Sequence, residues 1–366
     1  MKNLQTHLAV LLLSTLGLLT GAYGHTAAAS STESVPNSSL QKKLGQTPAL
    51  QTPASSRRRA PFVERQSGLP HISPKPAIQD SSPQFTYTWG LIDFPRSTSS
   101  AANGINDKGE IVGGYNNVSL ELYNLSDHTF RLKGNTFSSI NFPGAASTEA
   151  FGINKSGEII GAFVDSSGIT HGFLLVGSSY TQLDCPGLGG PGTSTLPSAI
   201  NNSGDIVGDC QYNNDSYVAT GFLLSGGVYS IITVPGAQYT WAGGINDAGV
   251  IVGWYQLDGG YQGFVDDAGS FTTINYPGYV GNTYLNGIND SGLILGGYGT
   301  PVTINSVYYE WPQGFLYSAG TFSTIDAPFG DVEVTNPMAI NNKGEVVGGY
   351  VDSEGMTYGF YLKVAQ

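Results

Sequence analysis

The sequence predicts an all-β protein, a six-bladed β-propeller of four-stranded antiparallel blades, and three observations predict it. A nine-residue motif recurs six times along the chain. Between its copies lie short runs of Ile, Val, Tyr, Phe and Thr set among glycines, the composition of many short strands. The links between those runs are constant in length at two places in each repeat and variable at the other two.

The chain begins with an export pattern. Lys2 is followed by an uncharged apolar stretch from Leu8 to Ala22, and small residues at Gly24 and Ala27 to Ala29 offer cleavage sites. Residues 1–24 therefore read as a signal peptide, cut somewhere within 24–29. The apolar run is short for a membrane span of about 20 residues, and no cysteine is near enough to carry a lipid. A secreted or cell-envelope protein without a membrane span after cleavage is expected. Residues 30–84 are rich in Ser, Pro, Ala and Gln, carry the Arg57-Arg58-Arg59 cluster and show no apolar periodicity. Such a segment buries too little apolar surface to offset its ordering entropy and reads as a disordered linker.

Residues 85–366 form the repeat domain. The pattern Ile-Asn-x-x-Gly-x-hydrophobic-hydrophobic-Gly starts at Ile105, Ile153, Ile200, Ile245, Ile288 and Ile340, at spacings of 43 to 52 residues. A proline precedes each copy (Pro95, Pro143, Pro186, Pro235, Pro277, Pro328), and a phenylalanine follows it (Phe130, Phe173, Phe222, Phe264, Phe315, Phe360). Each unit reads as four strands. Strand A ends in Gly/Ala-Ile-Asn, strand B carries Ile-Val-Gly, strand C holds Gly-Phe-Leu-Leu, and strand D holds Phe-x-x-Ile-Asp. The A–B link is a tight turn in which Asn bonds its own backbone and Gly takes the left-handed position. A blade cannot bury both faces alone, so blades must stack, and a ring removes long exposed edges. The chain starts with a lone strand D at 85–94 and ends after a strand C, so the two ends are expected to complete one blade.

The A–B spacing is identical in six copies and the C–D spacing is ten residues in five, whereas B–C spacings run from 9 to 17 and D–A from 10 to 14. In a four-stranded meander the A–B and C–D turns share one face. One face is thus constant and the other varies, as in a scaffold that carries a binding surface.

Segments such as Gly152-Ile-Asn-Lys-Ser-Gly-Glu-Ile-Ile-Gly, running on to His171-Gly172-Phe173, resemble the bacterial extracellular HAF repeat. The resemblance covers nearly all of residues 85–362. The naming triplet is complete only at His171; elsewhere His128 precedes Thr129, or the histidine gives way to Thr220, Gln262, Gln313 or Tyr358. The resemblance implies secretion and a propeller-like fold and names no activity.

The two cysteines, Cys185 and Cys210, both stand where other repeats carry bulky residues: Phe94, Phe142, Val234 or Tyr276 for the first, and Tyr115, Phe163, Tyr255, Tyr298 or Tyr350 for the second. Two such positions changed together in an exported chain predict a disulfide that replaces a packing contact.

Residues 85–366 hold 7 Lys/Arg against 24 Asp/Glu, a net charge of −17. That field repels phosphate backbones and anionic lipids, so nucleic acid is excluded as a partner. No metal-ligand spacing, nucleophile motif or phosphate loop occurs, and no cofactor is expected. Asp209 stands out because its strand B equivalents are Gly114, Ala162, Trp254, Gly297 and Gly349. Aromatics assigned to the variable face give the better site: Tyr239 and Trp241 in one D–A loop, Tyr279 and Tyr284 in the next, and Tyr308, Tyr309 and Trp311 in the longest B–C loop. Their apolar faces and polar tips suit sugar stacking or protein contact. Truncating Trp241 or Trp311 is expected to weaken binding with little loss of melting temperature. The reading is a monomeric, secreted, non-catalytic propeller that binds a glycan or a protein. A secreted polysaccharide hydrolase or lyase using acids such as Asp209, and a structural envelope protein, are the alternatives.

Overall fold

A computed structural model describes residues 85–116, 128–186, 193–213, 217–257, 260–278, 282–299, 302–304, 307–309 and 313–365. The expected signal peptide and linker lie outside the described residues. The first strand, β1 (Thr86–Ile92), precedes the first full blade. Blade 1 holds β2 (Ser99–Ile105), β3 (Ile111–Asn116), β4 (His128–Lys133) and β5 (Thr136–Ile140). Blade 2 holds β6 (Ser147–Ile153), β7 (Ile159–Val164), β8 (Thr170–Val176) and β9 (Ser179–Leu183). Blade 3 holds β10 (Ser194–Ile200), β11 (Ile206–Asn213), β12 (Tyr217–Ser225) and β13 (Val228–Ile232). Blade 4 holds β14 (Tyr239–Ile245), β15 (Ile251–Leu257), β16 (Gly260–Asp267) and β17 (Ser270–Ile274). Blade 5 holds β18 (Asn282–Ile288) and β19 (Ile294–Gly299), then a short hairpin of β20 (Val302–Ile304) and β21 (Val307–Tyr309), then β22 (Gln313–Ser318) and β23 (Thr321–Ile325). Blade 6 holds β24 (Val332–Ile340), β25 (Glu345–Asp352) and β26 (Thr357–Ala365), and its fourth strand is β1.

The propeller is therefore six four-stranded antiparallel sheets, each a meander. In the sixth, β1 pairs with β26 from Thr86↔Ala365 to Ile92↔Gly359, so the two ends of the repeat domain share one blade. Two local devices make the hairpins. At the C–D turns Ala268 and Gly269 have φ of 51° and 90°, and Ala319 and Gly320 have φ of 46° and 89°. Paired left-handed residues of this kind match the twist of the flanking strands.

At the A–B turns the motif asparagine does two jobs. Asn201 Oδ1 accepts the N–H groups of Ser203 and Asp205 at 3.0 and 2.9 Å, which caps its own turn. Its Nδ2 then donates to the Asn246 carbonyl of the next blade at 3.1 Å. The same donation runs from Asn106 to Asn154 (2.9 Å), Asn154 to Asn201 (3.2 Å), Asn246 to Asn289 (3.4 Å) and Asn289 to Asn341 (3.2 Å). Asn341 closes the circle on the Asn106 carbonyl at 3.0 Å. Six buried amides thus form a continuous ring of inter-blade hydrogen bonds. The next residue adds a partial second ring. Backbone N–H groups at 155, 202, 247, 290 and 342 donate to side-chain oxygens of Asn202, Asp247, Asp290, Asn342 and Asp107. Lys155 has no oxygen to offer, so that ring is open between blades 1 and 2.

Apolar residues fill the space between blades. The six strand C phenylalanines are fully buried. The glycine before Phe315 is dictated by close approach: a Cβ on Gly314 would lie 2.6 Å from the Pro337 ring of the next blade. The motif-ending glycine is dictated from within the blade. The register shifts between Ala102 and Gly104 bring the Ala101 carbonyl against Gly113, leaving no space for a Cβ.

Five of the six D–A crossovers are pinned by a threonine hydroxyl. The backbone N–H groups of Phe142, Cys185, Val234, Tyr276 and Ala327 donate to Thr148, Thr195, Thr240, Thr283 and Thr335 at 3.0 to 3.2 Å. Just beside these crossovers, rings from successive segments stack: Phe94 on Tyr115 at 3.6 Å between centroids, Phe142 on Phe163 at 3.6 Å and Tyr276 on Tyr298 at 3.5 Å. In blade 3 the equivalent pair is the Cys185–Cys210 disulfide. The covalent bond occupies the place of a ring stack, as its repeat positions predict.

Candidate binding face

The face opposite the asparagine ring carries the D–A and B–C connections. The expected aromatic site on this face divides in three. Tyr279 and Trp311 lie outside the described residues. Tyr308 and Tyr309 belong to β21, one arm of the hairpin inserted between β19 and β22. This hairpin occurs in blade 5 and in no other blade among the described residues.

Tyr239, Trp241 and Tyr284 are not loop residues. Tyr239 opens β14, Trp241 is the third residue of that strand, and Tyr284 is the third residue of β18. Tyr239 is half-buried, whereas Trp241 is 1 % exposed and Tyr284 is fully buried. They pack with Trp254, Tyr261 and Ala219 in one cluster. Trp241 faces Trp254 at 6.1 Å with a 17° interplanar angle, and Tyr284 meets Trp254 edge-on at 5.6 Å. The expectation that Trp241→Ala would spare stability is therefore corrected: the ring fills a core, and its removal leaves a cavity. The mis-assignment has a simple cause. Strand A is seven residues long and ends on the first residue of its motif, so the D–A connection is shorter than the spacing between repeated residues implies.

Asp209, singled out by repeat comparison, pairs with Leu196 and Gly221 and is 2 % exposed. Gln211 Nε2 donates to its Oδ2 at 2.8 Å. Burial outweighs that hydrogen bond and pushes its pKa up to about 7. Glu149 is a second such acid, 3 % exposed, with burial raising its pKa to about 7 against a 3.1 Å hydrogen bond from Asn103 Nδ2. Sequence reading missed Glu149. The comparison that exposed Asp209 would have found it, because its equivalents are Ala101, Leu196, Trp241, Tyr284 and Asn336.

The two histidines of the repeat domain lie on strand C, each against an aromatic ring of its own blade. His128 packs on Tyr115 and His171 on Phe163. His171 also meets Asp184 through Nδ1 at 2.7 Å and Asp165 through Nε2 at 3.4 Å. Asp165 Oδ1 in turn accepts the N–H groups of Ile169 and Ser167, and these bonds hold its pKa low. The carboxylate is a turn cap first, as its Asp-x-x-Gly context implies. Among the described residues no group of three or more His, Cys, Asp or Glu side chains is placed to hold a metal ion.

No protein-family model matches the chain, and none of the curated proteins is similar to it in sequence. Solved structures of similar fold include a protein of unknown function from Dyadobacter fermentans, 13 % identical with a TM-score of 0.46, covering 76 % of this chain and 98 % of that one. A mutant Aleuria aurantia lectin in complex with Fucα1-6GlcNAc is 12 % identical with a TM-score of 0.46, covering 74 % and 96 %. A putative gluconolactonase is 9 % identical with a TM-score of 0.43, covering 75 % and 91 %. At such identities and scores, this chain's function has to be argued from its own residues.

Proposed function

We propose that the protein is an extracellular binding module that takes a glycan or a protein on its variable-loop face. One observation carries this reading. Six A–B turns are built alike and locked to one another by the asparagine ring, while the opposite connections differ from blade to blade and include the tyrosine-bearing hairpin of blade 5. A rigid ring with one adaptable face presents side chains without losing much entropy on binding. The Cys185–Cys210 disulfide suits an oxidising compartment, and no helix among the described residues is long and apolar enough to cross a membrane. The acidic balance favours neutral or basic ligands.

The test is a glycan array probed with the purified protein, alongside capture of envelope proteins. Tyr308→Ala/Tyr309→Ala is expected to reduce the signal at least fivefold, while Asp107→Ala on the turn face leaves it unchanged. Equal loss from both variants, or no signal on either platform, defeats the reading.

A further inference from the structure

Among the described residues, no hydrogen-bond partner meets three buried polar atoms of blade 4: Trp241 Nε1, Trp254 Nε1 and Gln256 Oε1. They are close neighbours in the sheet. Trp241 pairs with Trp254, and two rungs further, on the same side of the sheet, Tyr239 pairs with Gln256, which pairs with Tyr261. All lie where β14 enters from, and β15 leaves toward, the variable face. Trp241 and Trp254 are themselves 1 % and 5 % exposed. Buried polar groups in folded proteins are almost always paired, so two adjacent indole N–H groups left bare call for a physical reason.

The scaffold does not supply that reason. Other blades complete the same rung with Ala101 and Gly114, with Leu196 and Asp209, or with Asn336 and Gly349. Closing the ring needs no tryptophan there. Around the bare atoms stand the surfaces that a sugar uses. Aromatic faces come from Trp241, Trp254, Tyr261 and Tyr284. From the preceding blade, Ala219 joins the cluster and pairs with Gln211, whose amide holds the Asp209 carboxyl. Half-buried Tyr239 packs against the cluster from its loop side, 5.7 Å from Trp241 between ring centroids.

We propose that this blade 4 cluster, packed ring against ring in the structure, parts to seat one neutral pyranose ring, admitted from the variable face when Tyr239 turns aside. The inference rests on the reading of that face as the binding face. The indole N–H groups donate to sugar hydroxyls, Gln256 Oε1 accepts from one, and the C–H face of the ring lies on the aromatic walls. The domain's negative charge selects against uronic acids and sulfated sugars.

The experiment follows the indole N–H resonances of the ¹⁵N-labelled full protein during titration with glucose, galactose, mannose, fucose and N-acetylglucosamine at millimolar concentration. At least one sugar is expected to shift the Trp241 and Trp254 signals and leave Trp89 in place. Tyr239→Ala should speed the exchange. Trp254→Phe keeps a ring and removes a bare donor, so it should cost much less stability than Trp241→Ala and yet weaken the sugar about tenfold. Silence of both indoles toward all five sugars, in the native protein and in Tyr239→Ala, overturns the seat, as does unaltered affinity in Trp254→Phe. If the array signal still depends on Tyr308 and Tyr309 while the indoles stay silent, the seat fails and the variable-face reading stands.

Discussion

The two ends of each blade obey different rules. At the A–B end, Asn106, Asn154, Asn201, Asn246, Asn289 and Asn341 each cap their own turn and bond forward to the next blade. At the opposite end the same rung holds Ala101, Glu149, Leu196, Trp241, Tyr284 or Asn336. The first end closes the ring and therefore tolerates no exchange of chemistry. The second is freed by that closure to vary, up to burying two carboxyls and a pair of tryptophans. The difference teaches that ring closure and freedom to vary are separated along each strand by only a few residues.

The largest expected effect is at the invariant end. Asn341→Ala removes two caps on its own turn and the bond to Asn106 that joins the last blade to the first. Leaving those buried partners bare should cost roughly 3–5 kcal/mol, read as a shift in denaturation midpoint. A cost below about 1 kcal/mol would show that side-chain packing alone closes the ring. Trp241→Ala should cost a similar 3–5 kcal/mol through its cavity. If the variant melts like the native protein, that ring is not part of the core.

The disulfide comes next. Reduction, or Cys185→Ser with Cys210→Ser, should cost about 3–4 kcal/mol for a loop of 25 residues in the chain-entropy model. The double change Cys185→Phe/Cys210→Tyr restores the ring stack of other blades and should recover part of that loss. Failure to recover any would mean that blade 3 has repacked around its bridge.

The smallest effect is graded with pH. Glu149 and Asp209 keep their protons to about pH 7 in the fold but release them near pH 4 when unfolded. The folded protein then binds more protons across that window, so its stability falls as pH rises through it. Glu110 acts oppositely. Burial resists its ionisation, but hydrogen bonds from Arg131, Lys133 and Asn106 prevail and hold its pKa at about 2, so its contribution is lost only in strong acid. The melting temperature should therefore peak near pH 5 and decline toward pH 8, with a flatter decline in Glu149→Gln. A melting temperature that rises from pH 5 to 8 would show that both acids reach solvent.

Much of this was legible in the residues. The six motifs implied six blades because each asparagine and glycine of the motif acts within its own turn. The disulfide was legible because two positions that stack elsewhere had both become cysteine. The candidate site was less legible. Trp241 and Tyr284 carry residue types common to surfaces and cores alike, and their burial depends on Ala219 and Trp254, which other strands deliver.

The sequence by itself determined the four-strand repeat, its A–B turns, the number of blades and the bridge between the cysteines, since each follows from neighbours in the chain or from a position within the repeat. Tertiary structure alone decided two things. It carried each asparagine amide to a carbonyl 43 to 52 residues ahead, or 235 residues back at the closure. It also placed a tryptophan pair at a rung of the sheet where no partner among the described residues meets the indole N–H groups. Both depend on how one blade faces the next, and that relation is fixed only when the ring closes.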